Sequence, residues 1–378
     1  MVFPSHKGII PLSNTFDIMA QRNGNTSSSL NAAKRGKNDE FYTQWTDIEK
    51  EVYYYRSLFK GKTVFCNCDD PYESDFFKYF VIHFNFLGLK KLTATCHAGS
   101  PISNTPLPLM DDGGSEKKTT KKPIQIEVSE VPKHPEQGFR LTDVQYLLRN
   151  KKNVLTRLKG NGDFRSPECL ALMKQSDIVI TNPPFSLFRE FVVQLDEHKK
   201  QFLIIGNVNA ITYKEIFKLI QENKIWLGES INSGDRKFRV PDDYPLDAAG
   251  CGIDEHGHRF IRVKGVRWFT NIQTETSKRS QALTLYKRYN AKEYPKYDNY
   301  NAIEVSKVVE IPKDYDGVMG VPITFLDKYN PEQFEILGKT NNKDSGRHYL
   351  MGDNPTAMIA GKNLYHRILI RKRTEPPS

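Results

Sequence analysis

The sequence predicts an α/β fold built on a doubly wound, mainly parallel β-sheet. Apolar strand-like segments alternate with helix-like segments over roughly 170 residues, which is typical of this fold class. Residues 178–180 and 202–205 are continuously apolar, as central strands are when both faces of a sheet are covered. The 378 residues are enough for one large domain, or for one domain with an appended lobe.

The first helix-like segment after residue 39 carries its apolar residues on one face. Ile48, Val52, Tyr55 and Phe59 recur at helical spacing and predict a buried stripe. A second helix-like segment is apolar throughout, and Gly88 is placed to end it. These two helices are expected to pack on the sheet.

Short apolar segments predict the strands. In chain order they lie within residues 60–71, 90–98, 124–128, 154–164, 177–181 and 202–207. A short helix is expected over 167–174, with Ser166 as its N-cap and Pro167 at its first position. Ligands of such folds bind beyond the carboxyl ends of strands. The loops of interest are therefore 67–72, 96–99, 160–165, 182–185 and 207–212.

The composition divides the chain into regions. Residues 1–37 are rich in Ser, Asn, Gly and Lys and predict a disordered tail, within which Met19 is an alternative start. Residues 38–222 form the predicted α/β domain, with a flexible low-complexity insertion at about 100–123. Residues 223–378 contain short β-like pieces, aromatic residues and basic residues, including a strand-like piece at 281–289.

The charge balance fits a polyanionic partner and fits a basic soluble enzyme equally well. Lys and Arg number 55 against 45 Asp and Glu, giving a net charge of +10. No run approaches the roughly 18–20 apolar residues of a membrane span. The five cysteines show neither disulfide nor zinc spacing, and His256 and His258 are interpreted as residues of a solvated loop. The sequence predicts a cytoplasmic protein without a metal.

Asn182, Pro183, Pro184 and Phe185 follow the strand at 177–181. Proline lacks an N–H and offers only an acceptor, so the Asn182 oxygen and the Pro183 carbonyl can present two acceptors side by side. Two acceptors suit an exocyclic amine, and Phe185 can stack on the ring that bears it. The alternative is a rigid loop in which proline ends the strand and Phe185 packs in the core.

This tetrapeptide resembles the hallmark of S-adenosylmethionine-dependent amino-group methyltransferases. A set of segments in the same order resembles, more narrowly, the EcoRI-type adenine-specific (N6) DNA methyltransferases. The segments are "DEFYTQWTDIEKE", "VFCNCDDP", "GDFRS", "DIVITNPPFSLFREF", "FLIIGNVNAITYKEIFKLI" and "GVMGVPITFLDKYNPEQFEILG". The resemblance runs from about Asn38 to the C-terminal strand. It implies a class I, Rossmann-like methyltransferase fold with a C-terminal target-recognition region.

The resemblance implies transfer of a methyl group from S-adenosylmethionine to N6 of an adenine flipped out of double-stranded DNA. Asn182 and the Pro183 carbonyl would accept the amine hydrogens, Pro184 would fix the loop, and Phe185 would stack on the base. The enzyme is expected to be a monomer that belongs to a restriction-modification system, with a cognate endonuclease as functional partner; the alternative is an orphan enzyme without such a partner. GAATTC is the first target to test.

Three segments are expected to hold the cofactor. "DEFYT" would hold the methionine portion, the loop after the first strand the amino group or ribose, and "GDF" the adenine. The residues implied are Tyr42, Thr43, Asn67, Asp69, Asp70, Asp163 and Phe164.

Each cofactor segment also has a structural alternative. Thr43 suits a helix N-cap, Asp69 and Asp70 suit a solvated loop, and Asp163 suits the N-terminus of a helix. Two departures from the common methyltransferase pattern bear on the same segments. The loop after the first strand lacks a glycine-rich turn, and Thr95, Cys96 and His97 stand where many relatives carry an acid for the ribose.

Two other functions remain open from the sequence. One is methylation of an amino group in RNA or of a protein glutamine, and the other is a DNA-binding regulator without catalysis. Basic residues interleaved with apolar ones favour DNA and are candidates for phosphate or base contact. They are Arg236, Lys237, Arg239, Arg259, Arg262, Lys264 and Arg267.

Overall fold

The computed structural model of the protein describes residues 41–71, 73–97, 123–132, 144–148, 150–240, 244–247, 250–275, 277–341 and 346–374. The predicted tail at 1–37, with Met19, lies outside the described residues. So does the predicted insertion at 100–123, except for Pro123.

Helices and strands alternate through the first half of the chain, and strands dominate the second half. The helices are α1 (Trp45–Val52), α2 (Asp75–Ile82), α3 (Phe84–Leu87), α4 (Val144–Leu148), α5 (Pro167–Gln175), α6 (Phe188–Glu197) and α7 (Lys214–Gln221). The first ten strands are β1 (Thr63–Asn67), β2 (Lys91–Thr95), β3 (Ile124–Val128), β4 (Val154–Arg157), β5 (Ile178–Thr181), β6 (Gln201–Asn207), β7 (Trp226–Leu227), β8 (Asp235–Arg239), β9 (Cys251–Ile253) and β10 (Arg259–Lys264). The others are β11 (Val266–Thr270), β12 (Ile303–Glu304), β13 (Met319–Pro322), β14 (Phe334–Lys339), β15 (Met358–Ile359), β16 (Lys362–Asn363) and β17 (Arg367–Lys372).

The central sheet has eight strands in the order β4-β3-β2-β1-β5-β6-β11-β7. Its four middle strands, β2, β1, β5 and β6, are parallel, as predicted. The flanking strands β3, β4, β11 and β7 pair antiparallel, so the sheet is mixed. The chain runs outward from β1 to β2 and later returns to β5 on the other side of β1. The loops after β1 and β5 therefore diverge at one edge, the position where open α/β sheets bind ligands.

Helices cover both faces of this sheet. Val64 and Cys66 of β1 join a core cluster with residues of α1, α2 and α3, whereas Phe65 joins a second cluster with residues of α5, α6 and α7. Strands β5 and β6 alternate in the same way. Burial on both faces explains why these strands are apolar throughout.

Local sequence features set the helix ends. The Ser166 side chain accepts a hydrogen bond from Cys169 N at 3.3 Å and caps α5, as predicted. Ser74 caps α2 in the same way, through Phe76 N at 3.1 Å. Gly88 ends α3 in a left-handed conformation with φ of 63°. The single helix predicted before Gly88 is divided, because His83 leaves helical geometry between α2 and α3.

Strand pairing crosses residue 222, the predicted domain boundary. Strands β7 and β11 belong to the central sheet, while the strands that follow form sheets in the orders β8-β10-β9, β12-β13-β17-β14 and β15-β16. The prediction of a strand-like piece at 281–289 is wrong, because these residues take no strand pairing within the described chain. Among the described residues, no helix combines the length and the apolar character that crossing a membrane requires.

Candidate active site

A cavity of about 400 Å³ opens at the carboxyl ends of β1 and β5. Eight predicted site residues line it: Tyr42, Thr43, Asp69, Asp70, Asp163, Phe164, Asn182 and Pro184. Three predicted residues, Asn67, Pro183 and Phe185, are not in its lining. Segments more than 100 residues apart in sequence therefore meet at the edge that the fold class predicts.

The Asn182 side chain is held in one orientation. Its Nδ2 donates a hydrogen bond to the Phe41 carbonyl oxygen. Its Oδ1 is buried and accepts no hydrogen bond from the residues that the structure describes. A buried amide oxygen without a partner is costly, so a group that donates to it from the cavity would bind with a gain.

The Phe185 ring packs in an aromatic cluster beside the cavity. It is 7% exposed, with its centroid 5.6 Å from the Phe41 ring and 6.1 Å from the Phe238 ring. Phe41, which sequence reasoning missed, lines the cavity in front of it. Its position before Tyr42 in "DEFYT" was the available signal. Stacking of a base on Phe185 stays a prediction.

Cys68 forms the turn after β1 in place of the missing glycines. It has φ of 76°, a left-handed conformation that glycine usually supplies, and it lines the cavity. Asn67 is fully buried below the turn, where its Oδ1 accepts a hydrogen bond from Thr95 Oγ1 at 3.0 Å. Asn67 and Thr95 thus brace the loop, and the nearby Cys96 and His97 line the cavity.

Asp69 joins the β1 loop to the end of β5. Its carboxyl contacts Ser74 Oγ at 2.6 Å and Thr181 Oγ1 at 2.5 Å. Burial raises the pKa of Asp69 to about 7, against the lowering effect of these two hydroxyls, and the neighbouring Asp70 raises it further. Thr181 Oγ1 also contacts the Asn67 carbonyl oxygen, so one hydroxyl hydrogen faces two acceptors. A proton on Asp69 satisfies both contacts, and this agrees with the raised pKa.

The segment before α1 is tied to the C-terminal half of the chain. Tyr42 N donates to Arg239 O at 2.8 Å, and Arg239 N donates back to Tyr42 O at 3.1 Å. The N-cap of α1 is Gln44, so the alternative that Thr43 caps this helix is wrong. Thr43 Oγ1 is buried at the cavity and has no hydrogen-bond partner among the described residues.

The loop before α5 presents an acid and a ring to the cavity. Arg165 grips the Asp163 carboxylate with Nε at 2.9 Å and Nη2 at 2.7 Å, and this hydrogen bonding lowers the pKa of Asp163. Arg165 also donates from Nη1 to Glu190 Oε2 at 2.8 Å, which anchors the loop on α6. Phe164 is 3% exposed and packs edge-on against Phe191. Asp163 precedes the N-cap Ser166, so it is not an acid of the first helical turn.

The basic candidates of the C-terminal half have different surroundings. Arg267 is paired with Asp327 at 2.9 Å. Because its side chain is buried, Arg267 cannot contact DNA in this structure. Ion pairs also engage Arg236, Lys237 and Arg239, while Arg259 donates to a backbone carbonyl. Arg262 and Lys264 are exposed and form no ion pair within the part of the chain described. That part also contains no group of three or more His, Cys, Asp or Glu arranged to hold a metal.

A sheet with parallel middle strands and a cavity at the carboxyl ends of β1 and β5 agrees with the predicted methyltransferase class. The chain belongs to the family described as "Adenine-specific methyltransferase EcoRI", which matches residues 29–373. It is thus an adenine-specific DNA methyltransferase of the restriction-modification type, as the sequence predicts.

Relatives match over nearly their whole length. Type II methyltransferase M.EcoRI of Escherichia coli is 46% identical over 352 residues, covering 92% of this chain and 97% of that protein. Type II methyltransferase M.MpnI of Mycoplasma pneumoniae is 40% identical, covering 91% and 98%. Type II methyltransferase M.MgeORF184P of Mycoplasma genitalium is 36% identical, covering 91% and 98%. No solved structure matches the chain.

Proposed function

We propose that this enzyme methylates N6 of an adenine flipped out of duplex DNA, with S-adenosylmethionine as the donor. The observation that carries the proposal is the buried Asn182 Oδ1, an acceptor without a partner at a cavity beside the loop that follows β1. Flipping costs a few kcal/mol in lost stacking and pairing. An amine that donates to Asn182 would repay part of that cost.

In this mechanism Asn182 Oδ1 and the Pro183 carbonyl oxygen each accept a hydrogen bond from the adenine amine. The amine lone pair is otherwise delocalised into the ring, and the two acceptors hold it out of the ring plane. Positive charge develops on nitrogen during attack, so both acceptors stabilise the transition state more than the ground state. Pro184 holds the loop rigid, and Phe185 with Phe41 supplies an aromatic wall for the base.

The residues at the cavity suit S-adenosylmethionine. This cofactor, when bound, supplies a methyl group activated by a positively charged sulfur. Asp69 and Asp70 would hold its cationic and hydroxyl groups, and the buried Thr43 hydroxyl would hydrogen-bond its methionine portion. Asp163 and Phe164 would contact its adenine, with Arg165 fixing the carboxylate. The central sheet and the helices on its two faces would then form a doubly wound, Rossmann-like domain. Residues after 222 would recognise the target sequence.

The wider role follows from the same proposal. The enzyme would act as a monomer in the cytoplasm, protecting DNA from a cognate endonuclease. Methylation of RNA or of a protein glutamine is the competing activity, because those substrates also present a planar amine. A regulator without catalysis is disfavoured, since it would have no use for the buried Asn182 oxygen, which has no hydrogen-bond partner among the described residues.

Methyl transfer from labelled S-adenosylmethionine tests the proposal directly. The enzyme is offered unmethylated duplex DNA containing GAATTC, duplex DNA of random sequence, tRNA with ribosomal RNA, and a protein extract. Label in DNA, located at adenine N6 by nuclease digestion and mass spectrometry, is the expected result. Label confined to RNA or protein would overturn it, and sequencing of methylated genomic DNA would identify the target.

Asn182→Ala should abolish transfer while leaving cofactor binding nearly intact. Asn207→Ala is a matched control at the carboxyl end of the neighbouring strand β6. Both ends of the Asn207 amide are already bonded, to Asn209 N at 3.0 Å and Lys264 O at 2.8 Å, and it does not line the cavity. An Asn182→Ala enzyme as active as the Asn207→Ala enzyme would contradict the mechanism.

A further inference from the structure

A second pocket, of about 490 Å³, lies beside the buried Arg267. Its polar lining consists mainly of groups that can donate hydrogen bonds. They are Lys278, Lys307, Lys328, Ser306, Thr324 and Asn232. The proposed reaction gives these residues no role.

The pocket is electropositive because three lysines line it and Asp327, the acidic residue in its lining, is already paired with Arg267. Asp327 accepts from Arg267 Nε at 2.9 Å, and these two side chains are only 8% and 6% exposed. Lys328 is exposed and forms no ion pair with the residues described. Lys307 pairs with Glu310 at 3.2 Å but is 72% exposed, where water screens such a pair strongly.

Lys278 is held at the wall of the same pocket. Its Nζ donates to the Glu229 carbonyl oxygen and lies 3.3 Å from Asn232 Oδ1. The Glu229 carboxylate is buried and accepts from Ser277 Oγ at 2.7 Å and from Lys278 N, so it faces inward to these donors. The ammonium is therefore fixed in place before any ligand arrives.

Arg267, the partner of the pocket's Asp327, lies near the edge of the central sheet at which the catalytic cavity opens. Arg267 pairs in register with Gly206, one residue before the carboxyl end of β6. Thr181, which directly precedes Asn182, pairs with Ile204 of the same strand. Neighbouring strands are about 4.8 Å apart, so β5 and β11 are separated by about 10 Å across β6. A duplex whose base enters the cavity would bring its backbone to this edge.

We propose that this pocket binds a backbone phosphate of the same duplex whose adenine enters the catalytic cavity. The inference rests on the proposed function and deepens it. A phosphodiester carries a negative charge and offers only acceptors, which lysine, hydroxyl and amide donors satisfy. The Arg267–Asp327 pair forms the floor and keeps its own charge balanced.

The test measures DNA affinity as a function of salt for Lys307→Ala/Lys328→Ala. Loss of the contact with this one phosphate should reduce the slope of log K against log salt by about 0.9. Cofactor binding and the transfer rate at saturating DNA should stay unchanged. Lys60→Ala/Lys90→Ala is the matched control, since these exposed lysines precede β1 and β2 at the opposite edge of the sheet.

Duplexes with one neutral methylphosphonate at successive positions locate the contact. The unmodified enzyme should lose affinity at one flanking phosphate, and Lys307→Ala/Lys328→Ala should be insensitive there. Equal slopes and equal phosphonate profiles in an enzyme that methylates DNA would overturn the inference. So would calorimetric binding of inorganic phosphate that depends on Lys307 and Lys328 without any change in DNA binding. An unmodified enzyme that methylates no DNA would overturn the proposed function as well.

Discussion

Asn182 Nδ2 donates a hydrogen bond to the carbonyl oxygen of Phe41, a residue 141 positions earlier in the chain. A half-turn of the amide would set its oxygen against that carbonyl, which can only accept. Phe41 therefore fixes which end of the amide is left without a partner among the described residues. Tyr42 pairs its backbone with Arg239, so one short segment links the Asn182 amide to the C-terminal half.

We expect Asn182→Asp to lower the rate of methyl transfer. The introduced carboxylate would place an oxygen against the Phe41 carbonyl, at a cost of about 1–3 kcal/mol, or roughly 5- to 150-fold in rate. Protonation restores a donor, so the rate should recover as the pH falls from 8 to 5.5. Single-turnover assays at saturating cofactor and DNA measure this. A rate that shows no dependence on pH beyond that of the native enzyme would contradict the orienting role of Phe41.

We expect Asp69→Asn to be more stable than the native protein at pH 8. Burial raises the pKa of Asp69 from 3.8 to about 7, so between these values the folded chain holds a proton that the unfolded chain has lost. Native stability therefore falls as the pH rises from about 4 to about 7 and stays reduced above it. The gain in Asp69→Asn should reach a few kcal/mol at pH 8 and shrink towards pH 4.

Urea unfolding without cofactor at pH 4.5 and pH 8 measures this difference. Titratable groups near Asp69 are Asp70 in the same loop, with His97 and the Asp163–Arg165 pair across the cavity. Asp163→Asn is the control of opposite sign. Arg165 lowers the pKa of Asp163 below its usual 3.8, so its ionised form stabilises the fold at both pH values and Asp163→Asn should be less stable than the native protein by a similar amount at each. Equal responses of the two variants would refute the protonated state of Asp69.

The middle of the sheet could be predicted from the sequence because a local sequence pattern indicates each parallel strand. β1, β5 and β6 are short apolar runs, and the polar residues that follow them meet at one edge by topology alone. The pairing of strands could not be predicted in this way, because the residues of a strand do not indicate which other strand lies beside it. Strands β7 and β11 follow residue 222 and nevertheless join the central sheet. This pairing depends on long-range contacts that the local sequence pattern does not indicate.

Among the site residues, too, local sequence motifs could be recognised but long-range contacts could not. Asn182 and Asp163 were recognisable from short motifs, whereas the partner that orients Asn182 lies 141 residues away. Arg267 stands among apolar residues like the other basic candidates, and its burial is explained by the carboxylate of Asp327 and the carbonyl oxygens of Asn232 and Val266, to which it donates. Cys68 takes a left-handed conformation that nothing in its residue type indicates.

We expect Gly162→Ala to disrupt the loop that carries Asp163. Gly162 has φ of 77°, and an added Cβ would lie 2.3 Å from the Cys96 carbonyl oxygen. The backbone must shift, so cofactor affinity and stability should both fall. Gly257→Ala is the matched control, since Gly257 has φ of 80° but no atom within 4 Å of such a Cβ. It should cost only the conformational term of about 1 kcal/mol and leave cofactor binding unchanged. Equal losses in the two variants would show that contact with Cys96 is unimportant.

We expect Thr43→Val to weaken cofactor binding without destabilising the fold. Thr43 Oγ1 is buried with no partner among the described residues, so an isosteric methyl removes a desolvated hydroxyl at no cost to the free protein. Loss of one hydrogen bond to the cofactor should reduce affinity about tenfold, or roughly 1.4 kcal/mol. Thr95→Val provides the contrast, because Thr95 Oγ1 donates to Asn67 Oδ1 at 3.0 Å and its loss leaves that oxygen unsatisfied. Thr95→Val should therefore unfold at lower urea concentration. Calorimetric titration with S-adenosylmethionine and urea unfolding measure both quantities, and a Thr43→Val enzyme with native affinity would remove Thr43 from the cofactor site.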